Sequence, residues 1–194
     1  MDQSKHRLVW LSATVFLASF SVARSDPPPG WILAGSNPQG YEAGIVGAGH
    51  TGSAAYLKSQ IENPEGFGTL MQTFSAERYR GKRLRMSGNV KAADVENGAG
   101  LWMRIDGADP RKPLGFDNMQ DRPILGTTDW QQYEVVLDIP HESQAIAFGV
   151  LLVGNGEVLL DDIRFDAVDE SVAVTNTAAV LPMEPANLDF DRNR

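Results

Sequence analysis

The feature that most constrains this chain is an apolar repeat of two. Leu84, Met86 and Val90 share one side of an extended run, while Arg83, Arg85, Asn89 and Lys91 share the other. Tyr133, Val135, Leu137 and Ile139 oppose Gln132, Glu134 and Asp138 in the same way. Successive side chains of a strand point to opposite faces, so each run has a buried side and a wet side. That is the pattern of antiparallel sheets with one face on a core. Turn residues break the chain into candidate strands Trp31–Ala34, Tyr41–Ile45, Ala54–Ser59, Thr69–Phe74, Lys82–Lys91, Gly100–Asp106, Leu114–Met119, Trp130–Ile139, Ala145–Val153 and Val158–Phe165. Gly154-Asn155-Gly156 predicts a hairpin turn between the last two, because glycines supply positive φ. Ser75–Tyr79 is the one helical candidate, with Ser75 as cap and Gly81 as stop. About ten short strands and one helical turn predict an all-β fold, an antiparallel sandwich or barrel.

The two ends read differently. Lys5, His6 and Arg7 precede an apolar run of about 13 residues, Leu8–Phe20, and Ser21-Val22-Ala23 follows. Basic, apolar and small segments in that order form a secretory signal peptide, expected to be cleaved after Ala23. A spanning helix needs ~20 apolar residues, so no membrane anchor is expected after cleavage. Residues 24–29 form a Pro-rich entry, 30–169 the sandwich domain, and 170–194 a flexible tail, with Leu188 and Phe190 as a docked strand in the alternative. The expected location is the periplasm or the extracellular space, and the expected state a monomer.

Composition removes several functions. The 194 residues include no Cys, which excludes disulfides, thiol catalysis and cysteine-ligated metals. A net charge of −8 argues against a nucleic-acid partner. His50 and His141 lack partners at helical metal spacing, and no Gly-x-Ser-x-Gly elbow occurs. No motif places two carboxylates together on one strand, as a glycosidase would need. A non-catalytic protein without a cofactor is expected.

The strand Leu101–Asp106 carries the clearest functional signal. Leu101, Met103 and Ile105 form a core stripe, while Trp102, Arg104 and Asp106 share the opposite face. A ring can stack on a sugar while Arg and Asp bond its hydroxyls. Alternatively Arg104 pairs with Asp106, and Trp102 lies under a covering loop. The following loop adds Asp117, Asn118 and Arg122, and Gln72 is a polar residue inside an apolar strand. The expected ligand-binding set is therefore Trp102, Arg104, Asp117, Asn118, Arg122 and Gln72. Asp161 shares phase with Leu159, Ile163 and Phe165, so its carboxylate needs N–H donors or a cation, calcium among them. A bulge at Asp161-Asp162 would instead release it to the surface.

Several passages resemble the galactose-binding-like jelly rolls, which include many carbohydrate-binding modules. Tyr79-Arg80-Gly81-Lys82 after the Thr69–Phe74 strand is similar to a passage of that superfamily. So are the closing Asp161-Asp162-Ile163 and the Gly52-Ser53-Ala54-Ala55 entry. Gly30-Trp31, Gly100–Arg104, Phe116–Met119 and Gly126–Trp130 resemble a bacterial subfamily of uncharacterised exported domains. The resemblance implies a two-sheet jelly roll and a carbohydrate or other hydroxyl-rich ligand. The superfamily's usual opening strand, whose Glu often helps hold a structural calcium, is replaced by Pro27-Pro28-Pro29. Because this superfold hosts many functions, a structural, protein-interaction or sensor sandwich remains the alternative, and a glycan-active enzyme a further one.

Overall fold

The computed structural model describes residues 26–109 and 111–176. The signal peptide expected over 1–23 and the tail beyond 176, with Leu188 and Phe190, lie outside the described residues.

Nine strands form: β1 (Ile32–Gly35), β2 (Tyr41–Val46), β3 (Ala54–Ser59), β4 (Phe67–Ser75), β5 (Lys82–Asp106), β6 (Gly115–Asp117), β7 (Ile124–Ile139), β8 (Ala145–Val153) and β9 (Glu157–Val168). Every pairing is antiparallel. The expected all-β sandwich is what forms.

Two strands expected to be separate, Lys82–Lys91 and Gly100–Asp106, are the halves of β5. The residues between them read as a loop because they are polar and small. They are instead a bulged corner: the register against β7 shifts between Val90, Ala92, Val95 and Ala99. Asp94 and Gly98 take φ of 51° and 133° to make the bend. This corner organises the molecule. The first half of β5 pairs with β9 and β7, the second with β8 and β6. One sheet therefore runs β1-β4-β8-β5-β6, the other β2-β3-β9-β5-β7.

The core lies between the sheets. Leu70, Leu101, Met103, Ile105, Ile146 and Val150 face Leu57, Leu84, Met86, Val90, Val135 and Leu137, all fully buried. At one end Phe74, Phe148 and Phe165 pack edge to face, with centroids 4.8–5.7 Å apart, and Trp31 adds its edge to Phe148 at 5.4 Å. Such pairs add ~0.5–1.5 kcal/mol each beyond area burial.

Two local expectations change. Gly154 and Gly156 do adopt positive φ (69° and 135°), yet β8 and β9 do not pair as a hairpin. Asn155 pins the turn instead as a crossover between sheets. Its side chain accepts from Asn63 N (2.8 Å) and donates to Asn63 Oδ1 and Glu96 (2.9 and 3.0 Å). The Ser75–Tyr79 helix is a single turn, with Tyr79 N bonded to Ala76 O at 2.9 Å. Five residues before a positive-φ Gly81 cannot offset the cost of helix nucleation. A 3₁₀ turn at Pro38–Gly40, not expected from the sequence, leads into β2.

Residues just past 169 are bonded to the sandwich. Arg83 Nη1 donates to Glu170 O and Val172 O (2.9 and 2.7 Å). Thr175 bonds Val136 on the edge strand β7 through both backbone N–H (2.9 Å) and side chain (2.7 Å from Val136 N). Residues 170–176 are thus tied to the sandwich rather than free of it.

Candidate functional site

The first sheet carries a trough of about 530 Å³ on its outer face. Its position follows from strand phase. Thr69 and Met71 of β4, Leu151 and Val153 of β8, Trp102 and Arg104 of β5 and Phe116 of β6 all point away from the core. Asn118 closes one side from the loop after β6.

Trp102 forms the floor. It is 6% exposed, and its indole Nε1 donates to Thr69 Oγ1 at 2.7 Å. Thr69 is two strands away, so the indole spans β8. Register places Gly149 between Met71 and Trp102. Gly149 brings no side chain to that point of β8, and a Cβ on it would meet Leu70 O of the neighbouring strand at 2.2 Å. The Thr69 hydroxyl donates its own hydrogen bond to Val150 O at 2.8 Å, which leaves its oxygen to accept from the indole. Trp102 is therefore a buried, hydrogen-bonded base rather than an open stacking platform. The rings that do face outward are Phe116 (46% exposed) and Phe67 (37%). Sequence reasoning passed over both. Their signal was phase: each shares the outer face with Trp102 once the strand pairing is known.

Arg104 is half-exposed and forks onto Asp106, Nε to Oδ1 at 2.8 Å and Nη2 to Oδ2 at 3.0 Å. Its Nη1 makes no hydrogen bond among the described residues. Asn118 accepts Gln120 N on Oδ1 at 3.3 Å, and its Nδ2 likewise has no partner among them. Trp102, Arg104 and Asn118, three of the six expected residues, thus share one cavity.

The other three do not line it. Gln72 shares phase with core residues Leu70 and Phe74, and its amide sits beside Gly30 at the entry turn. Asp117 alternates with Phe116 and so turns inward. Its side chain is 4% exposed and accepts Arg122 Nη1 and Nη2 (3.2 and 2.7 Å), Met119 N (2.8 Å) and the Thr175 hydroxyl (2.5 Å). Burial opposes the charge on Arg122, but Asp117 and Asp121 outweigh it and hold the guanidinium firmly protonated. Asp117 and Arg122 form a tether between the β6 loop and the 170–176 segment.

On the other sheet, Asp161 and Asp162 sit at a bulge, where the register shifts between Ser87 and Asn89 and Asp162 takes φ 54°. Asp161 accepts Thr51 N (2.9 Å) and Asp162 N (2.8 Å), so backbone donors meet its carboxylate. Asp162 accepts the Thr51 hydroxyl (2.9 Å) and Asn89 Nδ2 (3.1 Å), and pairs with His50 Nδ1 (2.9 Å). His50 in turn lies edge-on to Trp130, centroids 5.9 Å apart. Among the described residues, no group of three or more His, Cys, Asp or Glu side chains is arranged to hold a metal ion.

These bonds, from His50 first and then Thr51 and Asn89, hold Asp162 below its ordinary pKa of 3.8. A depressed carboxylate stabilises the fold above 3.8 and loses that contribution as pH falls through the lower folded value. The His50–Thr51 loop is therefore expected to loosen below about pH 4. Following the Asn89 side-chain amide signal, which donates to Asp162, by NMR from pH 6 to 2.5 checks this. The transition should vanish in Asp162→Asn, and its persistence there would refute the assignment.

No family model matches the sequence. A Bacillus subtilis (strain 168) protein described as the uncharacterized HTH-type transcriptional regulator YbfP is 48% identical over 167 residues. That stretch is 84% of this chain and 56% of the relative, so the chain spans little more than half of that protein's length. Among solved structures, the CBM22-1–GH10 modules of Clostridium thermocellum xylanase 10B, complexed with xylohexaose, superpose with a TM-score of 0.54. They are 12% identical over 72% of this chain and 26% of that one. The CBM22-1 xylan-binding domain of Paenibacillus barcinonensis Xyn10C gives 0.50 at 14% identity, covering 75% of this chain and 90% of that one. A cyclase from Fischerella sp. gives 0.52 at 16%, covering 75% and 87%. The chain shares a jelly-roll-like β-sandwich fold with these modules and with the cyclase. At these identities the likeness is one of fold, and it is shared by proteins with different activities.

Proposed function

We propose that this domain is an exported, non-catalytic module that binds carbohydrate, or another hydroxyl-rich ligand, in the trough of the first sheet. One observation carries the reading. Two side chains with uncommitted donors, Arg104 and Asn118, face a cavity that also holds the outward rings of Phe116 and Phe67. Exposed rings stack on the apolar face of a pyranose, and pre-held N–H groups meet its hydroxyls without reordering. Asp106 holds the guanidinium in one orientation, so its free edge stays aimed. Export rests on the Lys5–Ala23 leader pattern.

Likeness to a protein described as an HTH-type regulator supports a second reading, a ligand-sensing module. The described residues hold no α-helix, so in such a protein this part would supply ligand binding rather than DNA contact.

A glycan array followed by calorimetry on the hits tests the main reading. Arg104→Met and Asn118→Ala are each expected to weaken binding by about 10-fold or more, the loss of one good polar contact, with the fold retained. Mass spectrometry of the mature protein should find Arg24 first. An array without hits, or full affinity in both variants, would overturn the binding site. Intact Met1 in the extracytoplasmic fraction would overturn the leader.

A further inference from the structure

The two walls of the trough differ in chemistry. The β5–β6 wall carries Arg104 and Asn118, with uncommitted Nη1 and Nδ2. The opposite wall, from β1, β4 and β8, carries Ala34, Phe67, Met71, Leu151 and Val153. Its one polar side chain is Thr69, and that hydroxyl is already engaged at both ends, by Trp102 and by Val150 O.

A bare sugar carries hydroxyls around its whole rim. Those turned to the β1–β4–β8 wall would leave water and find no side-chain partner, a loss for every such group. An apolar group turned that way would instead gain from burial. On the carbohydrate-binding reading above, we propose that the ligand is an amphiphilic glycoside. Its sugar hydroxyls meet Arg104 and Asn118, and its alkyl or aryl aglycone lies against Phe67, Leu151 and Val153. Gly149 keeps the floor low between the two walls, so both parts of the ligand fit side by side over the indole of Trp102.

The test compares methyl and n-octyl β-D-glucopyranosides and galactopyranosides by calorimetry below micelle formation, with n-octanol as the tail-only probe. Each buried methylene is worth about a 4-fold gain. Even partial burial of the octyl chain should therefore tighten binding by about 10-fold or more over methyl. Val153→Thr, a near-isosteric polar change at a partly exposed residue that only the aglycone touches, should erase part of that gain and leave methyl glycoside binding unchanged. Arg104→Met should weaken methyl and octyl glycosides by the same factor. Methyl and octyl glycosides binding equally would overturn the amphiphile proposal while the carbohydrate reading stands. Octanol binding as tightly as octyl glycosides, or no glycoside binding at millimolar concentration, would overturn both.

Discussion

Replacing Trp102 by alanine is expected to destabilise the domain by about 3–5 kcal/mol, the range for a buried aromatic truncation. The indole is 6% exposed and spans β8, so its removal opens a cavity beneath the trough that a bare Gly149 cannot fill. It also leaves the Thr69 hydroxyl without its donor at 2.7 Å. For a domain of this size each kcal/mol lowers Tm by ~2–4 °C, so the fall should be roughly 6–20 °C. Trp102→Phe keeps most of the volume and should cost much less, chiefly the hydrogen bond, about 1 kcal/mol. Thermal melts of the two variants check the account. An unchanged Tm in Trp102→Ala would mean that the ring is an open platform and not the floor. This separates Trp102 from Asn118, whose loss should affect binding and not melting.

The second large effect is expected at Asp117. Its carboxylate is buried and meets four groups: both Arg122 Nη atoms, Met119 N and the Thr175 hydroxyl. Asp117→Ala should cost roughly 3 kcal/mol, the low end for breaking a buried ion pair. The low end applies because Arg122 is 33% exposed and keeps Asp121 at 2.9 Å as a second partner. The same change should free the 170–176 segment from β7. Hydrogen exchange at Thr175 N, now bonded to Val136 O, is expected to speed up while core amides such as those of β8 hold. Thr175→Val should release the segment with a smaller loss of stability, about 1 kcal/mol. If Asp117→Ala melts like the wild type, the tether is not structural. Asp117 sits between Phe116 and Asn118, so the tether also joins the trough wall to the end of the domain.

The fold was legible because strand alternation is local. Leu84, Met86 and Val90 announce a buried face whatever they pack against, and Leu101, Met103 and Ile105 do the same. The same logic placed Trp102 and Arg104 together on an outer face. It failed at residues 92–99, whose small and polar side chains read as a loop. A bulged corner needs such residues, and what makes it a strand is pairing with β7 more than twenty residues away. It failed again at Gly154–Gly156: a glycine turn permits a hairpin, but the alternative partners β3, β4 and β5 decided otherwise.

The site was half legible for the same reason. That Trp102 and Arg104 point away from the core is a property of one strand, and the sequence alone determined it. Whether Trp102 is open or covered depends on Thr69 and Gly149, on β4 and β8, which only the register brings beside it. Phase within β4 sends Gln72 to the core side, and phase within β6 turns Asp117 inward and Phe116 outward. Neither phase can be assigned in a short or mixed run until its partner strands are known. Residue chemistry and alternation thus determined the class of fold and one face of one strand. Long-range strand pairing decided which side chains share that face, because hydrogen bonds between distant segments, not neighbours in the chain, set the register.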